Sequence, residues 1–188
     1  MKKLYEVVKG ALSPEMCKLA KDALIITKDV QYFINNVPPE NTTAFGDSQC
    51  PNSFVNYSHS VCEALLLTVQ PIIERVSGKT LYPTYSYSRI YWKGAILDKH
   101  TDRPSCQYSV TLCLDNKDKP WPIYMAGKKV SLKAGDLVVY QGCDIEHWRD
   151  PLKEDTQIIQ AFLHFVDANG IYADWKYDQR PILGLIKQ

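Results

Sequence analysis

Two histidines and an aspartate offer the most specific chemistry in this chain: His100 and Asp102, two apart in Lys99-His100-Thr101-Asp102-Arg103, and the distal His147. Residues i and i+2 of a strand face the same way, so this imidazole and carboxylate would point into one interior. With His147 they make two imidazoles and one carboxylate on one face, leaving three positions of an octahedron open. That donor set suits Fe(II), with two positions for a chelating keto acid and one for O2. It contains no thiolate, and the six cysteines (17, 50, 62, 106, 113 and 143) form no C-x-x-C pair, so a structural zinc site is not indicated. An H-x-D pair recurs by chance, and a single histidine is more often a packed or solvated residue, so the surrounding residues must carry the assignment. His59, on the helical side, and His164, with no acid at i±2, read as structural. Tyr140 and Trp148 read as packing around the site.

The elements that would position these groups fall into two textures. Ser13-Pro14-Glu15 is a helix start, with a capping hydroxyl, Pro at the first helical position and an acid in the first turn. Met16, Leu19, Ala20, Ala23 and Leu24 then recur at helical spacing. Residues 35–53 are rich in turn formers and read as a long loop of the kind that serves function. A second helix is expected from Val55 to Val76, with Val61, Leu65, Ile72, Ile73 and Val76 inward, a kink at Pro71 and a stop at Gly78. From Lys79 the pattern changes to strands: Leu81–Tyr91, Gln107–Leu114, Pro122–Met125, Lys129–Leu132, Asp136–Tyr140, Glu146–Arg149 and Gln157–Val166. Such a series implies a β sandwich, jelly roll or barrel backed by two N-terminal helices, a mostly β α+β fold. We divide a single domain into helical support (1–78), β core (79–166) and a tail (167–188) expected to wrap back on the surface.

Bulk properties narrow the function classes. A chain of 188 residues, 45% hydrophobic and 23% charged, can bury a core without staples. A formal net charge of +1 gives no footprint for nucleic acid or an anionic membrane. The basic runs Lys2-Lys3 and Lys128-Lys129 read as solvated surface. Met1-Lys2-Lys3 imitates the charged end of a signal peptide, but Glu6 and Lys9 interrupt any apolar stretch. Reduced, mostly buried thiols and a cytoplasmic location are expected.

The run Tyr91-Trp-Lys-Gly94-Ala-Ile-Leu97-Asp-Lys-His100-Thr-Asp102 resembles the Y-x-x-G-x-x-L-x-x-H-x-D signature of the prolyl-4-hydroxylase-like 2-oxoglutarate/Fe(II) dioxygenases. Ser109–Asp115 is similar to that family's next strand, and Ala134-Gly135-Asp136 through Tyr140 to its G-D-x-x-x-F/Y strand. His147 with Pro151 is similar to its distal H-x-x-x-P. The resemblance spans roughly residues 80–166. It implies a double-stranded β-helix, iron on His100, Asp102 and His147, 2-oxoglutarate as co-substrate, and hydroxylation by O2 with release of succinate and CO2. It also implies a small-molecule or peptide substrate and places Tyr91 against the co-substrate. The small single-domain form looks like the bacterial and phage members, and an intact Asp102 argues against a halogenase.

One position departs from the family. About ten residues after the distal histidine, a basic residue usually grips the far carboxylate of 2-oxoglutarate; here Gln157 stands there. A dianion in a poorly hydrated barrel needs a cation. Arg149, on the strand face of His147, is the first candidate to replace it. Arg89, two before Tyr91, is the second, and Arg103 the third. Two alternatives stay open: a cupin-like metalloenzyme that uses no keto acid, and a binding or virion-associated protein that keeps the fold without catalysis.

Overall fold

The computed structural model describes residues 5–186; the Met1-Lys2-Lys3 segment lies outside them. Helix α1 runs Pro14–Ile34, with Pro14 in its first turn and the Met16 N–H donating to Ser13 Oγ at 3.3 Å. It buries Cys17, Ala20, Leu24 and Tyr32, whereas Met16 and Leu19 are 36% and 68% exposed. Ala20 and Leu24 thus face inward as expected, while Cys17 takes the place of Met16 and Leu19. Helix α1 packs on strand β5 (Tyr108–Asp115), while Leu19, Ile26, Val30 and Phe33 face out.

The expected second helix divides in two. Its first residues form strand β2, Ser53–Tyr57, which pairs antiparallel with β3, Leu81–Tyr91, in the register Ser53 to Tyr91 and Tyr57 to Tyr87. Ser58, at φ 55°, turns the chain, and His59 then caps helix α2, Ser60–Ser77. His59 Nδ1 accepts from the Val61 N–H at 3.3 Å, and its Nε2 lies 2.9 Å from Thr27 Oγ1 on α1, a structural role as expected. The helix continues through Pro71 and ends at left-handed Gly78.

The remaining strands are β1 (Tyr5–Val8), β4 (Leu97–His100), β6 (Ile123–Met125), β7 (Lys128–Val130), β8 (Leu137–Tyr140), β9 (His147–Arg149) and β10 (Ile158–Asp167). They build two antiparallel sheets, one in the order β1-β8-β5-β10-β3-β2 and one in the order β4-β9-β6-β7. From β3 onward the chain alternates between sheets, staying in the smaller one only for the β6–β7 hairpin. Period-two side-chain alternation gives the large sheet two buried faces. Val110, Leu112, Leu137, Val139, Ile159, Ala161 and Leu163 pack on the helical side. Cys113, Val138 and Tyr140 pack toward the small sheet with Ile123 and Met125. Strand β3 shows why its composition is odd. Tyr85, Tyr87, Arg89 and Tyr91 line the inter-sheet cavity. The alternate Ser86 instead bonds Glu63 of α2 through its N–H and hydroxyl, at 2.8 and 2.9 Å.

The tail lies largely on the surface and is pinned to it by two buried charged residues. Arg180 is 6% exposed and pairs with buried Glu63 at 3.2 Å; Asp178, 1% exposed, accepts two bonds from Arg103 at 2.9 and 3.0 Å and one from Tyr57 at 2.7 Å. All six cysteines are free, five of them buried. Among the described residues, no helix is long and apolar enough to cross a membrane.

Candidate metal centre and cavity

His100 is the last residue of β4 and stands opposite His147, the first of β9. Asp102 lies just beyond the strand, where its N–H donates to the Gly142 carbonyl at 2.8 Å. The shared-face argument for H-x-D thus holds only for His100; a turn anchored on Gly142 brings in the carboxylate. Asp102 Oδ1 is 3.7 Å from His100 Nε2 and 3.5 Å from His147 Nε2, and one donor atom from each residue lies within 4.8 Å of the others. The imidazole centroids are 4.2 Å apart.

The outer nitrogens fix which lone pairs are free. His100 Nδ1 is 2.7 Å from the Asp98 carbonyl and His147 Nδ1 is 2.9 Å from the Ile145 carbonyl. A carbonyl only accepts, so each Nδ1 carries the proton and each Nε2 keeps its lone pair for a ligand. Burial, and then the neighbouring His147, lower the pKa of His100, which favours the neutral imidazole that binds metal. Burial alone would raise the Asp102 carboxyl, but the hydrogen bond and charge of His147, with His164 and Ser109, take it down to about 2. Two imidazoles with their outer nitrogens tied to carbonyls and one carboxylate make a donor set that fits a hard or borderline divalent ion.

The triad borders a cavity of about 430 Å³, within the range of roughly 300–1,000 Å³ typical of small-molecule sites. Tyr57, Tyr85, Tyr87 and Tyr91 wall it from one side, and Tyr140 packs its ring 4.9 Å from His147. Trp148, one residue on, points the other way and stacks on Tyr124. Asp47 and Gln49, from the long loop, also reach the cavity.

The three candidate arginines occupy different situations. Arg89 lines the cavity, but Asp47 grips it with both oxygens at 2.9 and 2.8 Å. Arg103 lines it as well and is gripped by Asp178. Arg149 does not line this cavity; it is packed beside Trp121, Ile158 and Gln160, 1% exposed. Its Nη groups donate to the Trp121 carbonyl and, at 2.7 Å, to Gln160 Oε1. Its Nε has no partner, and among the described residues no carboxylate pairs with it. Tyr91 OH and Thr111 Oγ1 are likewise buried without a partner. Burial raises the Tyr91 phenol to about 12, although the charges of Arg89 and Arg149 pull it down. Gln157 precedes β10 and is half-buried; Gln160, three residues on, is the one turned inward beside Arg149.

Two neighbours of the triad go beyond the sequence reading, which takes His164 as structural and does not single out Ser109. His164 lines the cavity, and Ser109 stands between it and Asp102. Their alternation on β10 and β5 was a usable signal, since Ile158, Gln160, Phe162 and His164 share one face.

No sequence-family model matches the chain, and no curated protein matches it in sequence. Solved structures do match its fold. HygX from Streptomyces hygroscopicus, with nickel, 2-oxoglutarate and hygromycin B bound, superposes with a TM-score of 0.68 at 10% identity, over 89% of this chain and 84% of that one. A Pseudomonas putida prolyl-4-hydroxylase gives 0.56 at 14% identity, over 86% and 92%. The viral collagen prolyl hydroxylase of Paramecium Bursaria Chlorella virus-1, a 2-oxoglutarate complex, gives 0.59 at 14% identity, over 87% and 96%. These neighbours bear out the resemblance carried by the four sequence motifs: the chain has the fold that these 2-oxoglutarate enzymes share.

Proposed function

We propose that the protein is an Fe(II)- and 2-oxoglutarate-dependent dioxygenase that hydroxylates a C–H bond of an amino acid, peptide or small metabolite. The observation that carries this reading is the triad itself. Three donors converge beside a substrate-sized cavity, with both histidines held in the tautomer that a metal needs. The two sheets, between which the chain alternates from β3 to β10, fit a double-stranded β-helix, the scaffold that the resemblance implies.

His100, Asp102 and His147 would hold the iron. Bound there, Fe(II) supplies the redox chemistry that couples O2 reduction to decarboxylation of the keto acid. In balance, substrate C–H, O2 and 2-oxoglutarate give substrate C–OH, succinate and CO2. The chain's own residues bind and orient. Arg149 is a buried cation with no anion, an expensive arrangement that a dianionic co-substrate would relieve. Arg149 Nε and the Tyr91 OH, close enough for the guanidinium charge to act on the phenol, are both buried without a partner, and the far carboxylate of 2-oxoglutarate offers an acceptor for them. The tyrosine wall and the paired Arg89–Asp47 and Arg103–Asp178 groups suit a polar substrate.

Succinate release from 2-oxoglutarate tests the activity. It should require both added Fe(II) and O2 and should rise when a true substrate is present among free amino acids, peptides and polar metabolites. Fe(II)-independent release, or none with every additive, would contradict the proposal.

A further inference from the structure

We propose that Ser109 and His164 form a hydrogen-bonded relay that sets the orientation of Asp102 and so the affinity of the triad for its metal; this rests on the metal-binding reading above. Ser109 Oγ is 2.7 Å from Asp102 Oδ2, 3.0 Å from the Cys106 carbonyl and 3.0 Å from His164 Nδ1. The hydroxyl has one proton. The carboxylate and the carbonyl can only accept, and the charged, nearer carboxylate takes it. His164 Nδ1 must then donate to the Ser109 lone pair, which fixes the direction of the hydroxyl. The relay thus runs from His164 through Ser109 to Oδ2 and leaves Oδ1 as the carboxylate oxygen facing both Nε2 atoms.

The packing around this relay is close. A Cβ on Gly142 would lie 2.3 Å from Asp102 Oδ2, 2.4 Å from the Cys106 carbonyl and 2.6 Å from Ser109 Oγ. The relay occupies the space that any larger residue at 142 would need, while the Gly142 carbonyl holds the Asp102 N–H. Ser109 is fully buried and His164 is 6% exposed, so water does not substitute readily for a lost partner. His164 is further fixed by Tyr85, whose ring centroid is 4.6 Å from the imidazole. These are positioning residues: Ser109 does not line the cavity, His164 reaches it only at its wall, and both act through Asp102.

Co(II) titration followed by its visible absorption tests the relay without turnover. Ser109→Ala should weaken Co(II) binding by about 10–100-fold, the usual cost of losing an outer hydrogen-bond partner of a metal ligand, and should change the ligand-field bands. His164→Leu should weaken it as well. His164→Asn, which keeps an N–H donor near the Nδ1 position, should restore most of the affinity. This pair reads the relay even where Ser109→Ala fails to fold. Wild-type binding that is lost in His147→Ala but unchanged in Ser109→Ala, or equal in the His164 Leu and Asn variants, overturns the relay and leaves the triad standing. Wild-type protein that binds no Co(II) overturns the metal-binding reading itself, and the relay with it.

Discussion

His147→Ala should abolish metal-dependent succinate release and reduce Fe(II) affinity by more than the roughly 10–100-fold that loss of an outer hydrogen-bond partner costs. The reason is geometric. His147 is 3% exposed, opens strand β9, and is fixed by the Ile145 carbonyl, which aims its Nε2 at the other two donors. His164, the nearer of the two imidazoles outside the triad, has its Nδ1 engaged with Ser109, which in turn bonds Asp102. The variant should remain folded, since β9 pairs with β4 and β6 through backbone bonds that the substitution spares. Equilibrium dialysis with iron analysis, alongside a thermal melt, measures both points. Retained stoichiometric iron in folded His147→Ala would remove His147 from the site.

The second large effect concerns the co-substrate. Arg149→Ala should raise the 2-oxoglutarate concentration needed for half-maximal succinate release by about 10²-fold, because truncating one partner of a buried charge pair costs ~2–5 kcal/mol. Arg89→Ala should raise it far less. Arg89 already satisfies Asp47, Ser53 and Gln49, so its charge is spent before any ligand arrives. Arg149 is bonded only to a neutral carbonyl and a neutral amide, and its Nε is unpaired. Comparing 2-oxoglutarate titrations of the two variants settles the choice. Equal shifts, or a larger one for Arg89→Ala, would move the carboxylate to the cavity side of β3.

The sequence was most legible where a local pattern has one physical solution. Ser13-Pro14-Glu15 opened α1 as expected, and Leu81–Tyr91 is a strand with those bounds. The later strands fell within a residue or two of expectation, because turn formers bracket each apolar run. Patterns with two solutions misled. On α1 an apolar stripe that includes Leu19 and Phe33 competes with the true inner face of Cys17, Ala20 and Leu24, and only tertiary contact with β5 decides between them. Residues 53–57 are apolar enough to extend a helix, yet the open edge of β3 recruits them as β2. At the site, the triad residues were legible because motif spacing reports on strand and turn geometry. Arg149 was legible as an inward residue two from His147, but its seat was not, since that depends on Trp121 and Gln160 arriving from elsewhere in the chain. The role of Ser109 was hidden for the same reason: it joins Asp102 to His164 across 55 positions of chain on one side and 7 on the other.

The central claim is that His100, Asp102 and His147 hold iron with 2-oxoglutarate chelated beside it. Adding Fe(II) and 2-oxoglutarate to the wild-type protein without oxygen tests it most directly, because a keto acid chelated to Fe(II) absorbs visible light by charge transfer. The account predicts a visible band that saturates with 2-oxoglutarate and is absent in His147→Ala. No band in the wild-type protein, or one that survives His147→Ala, would contradict it.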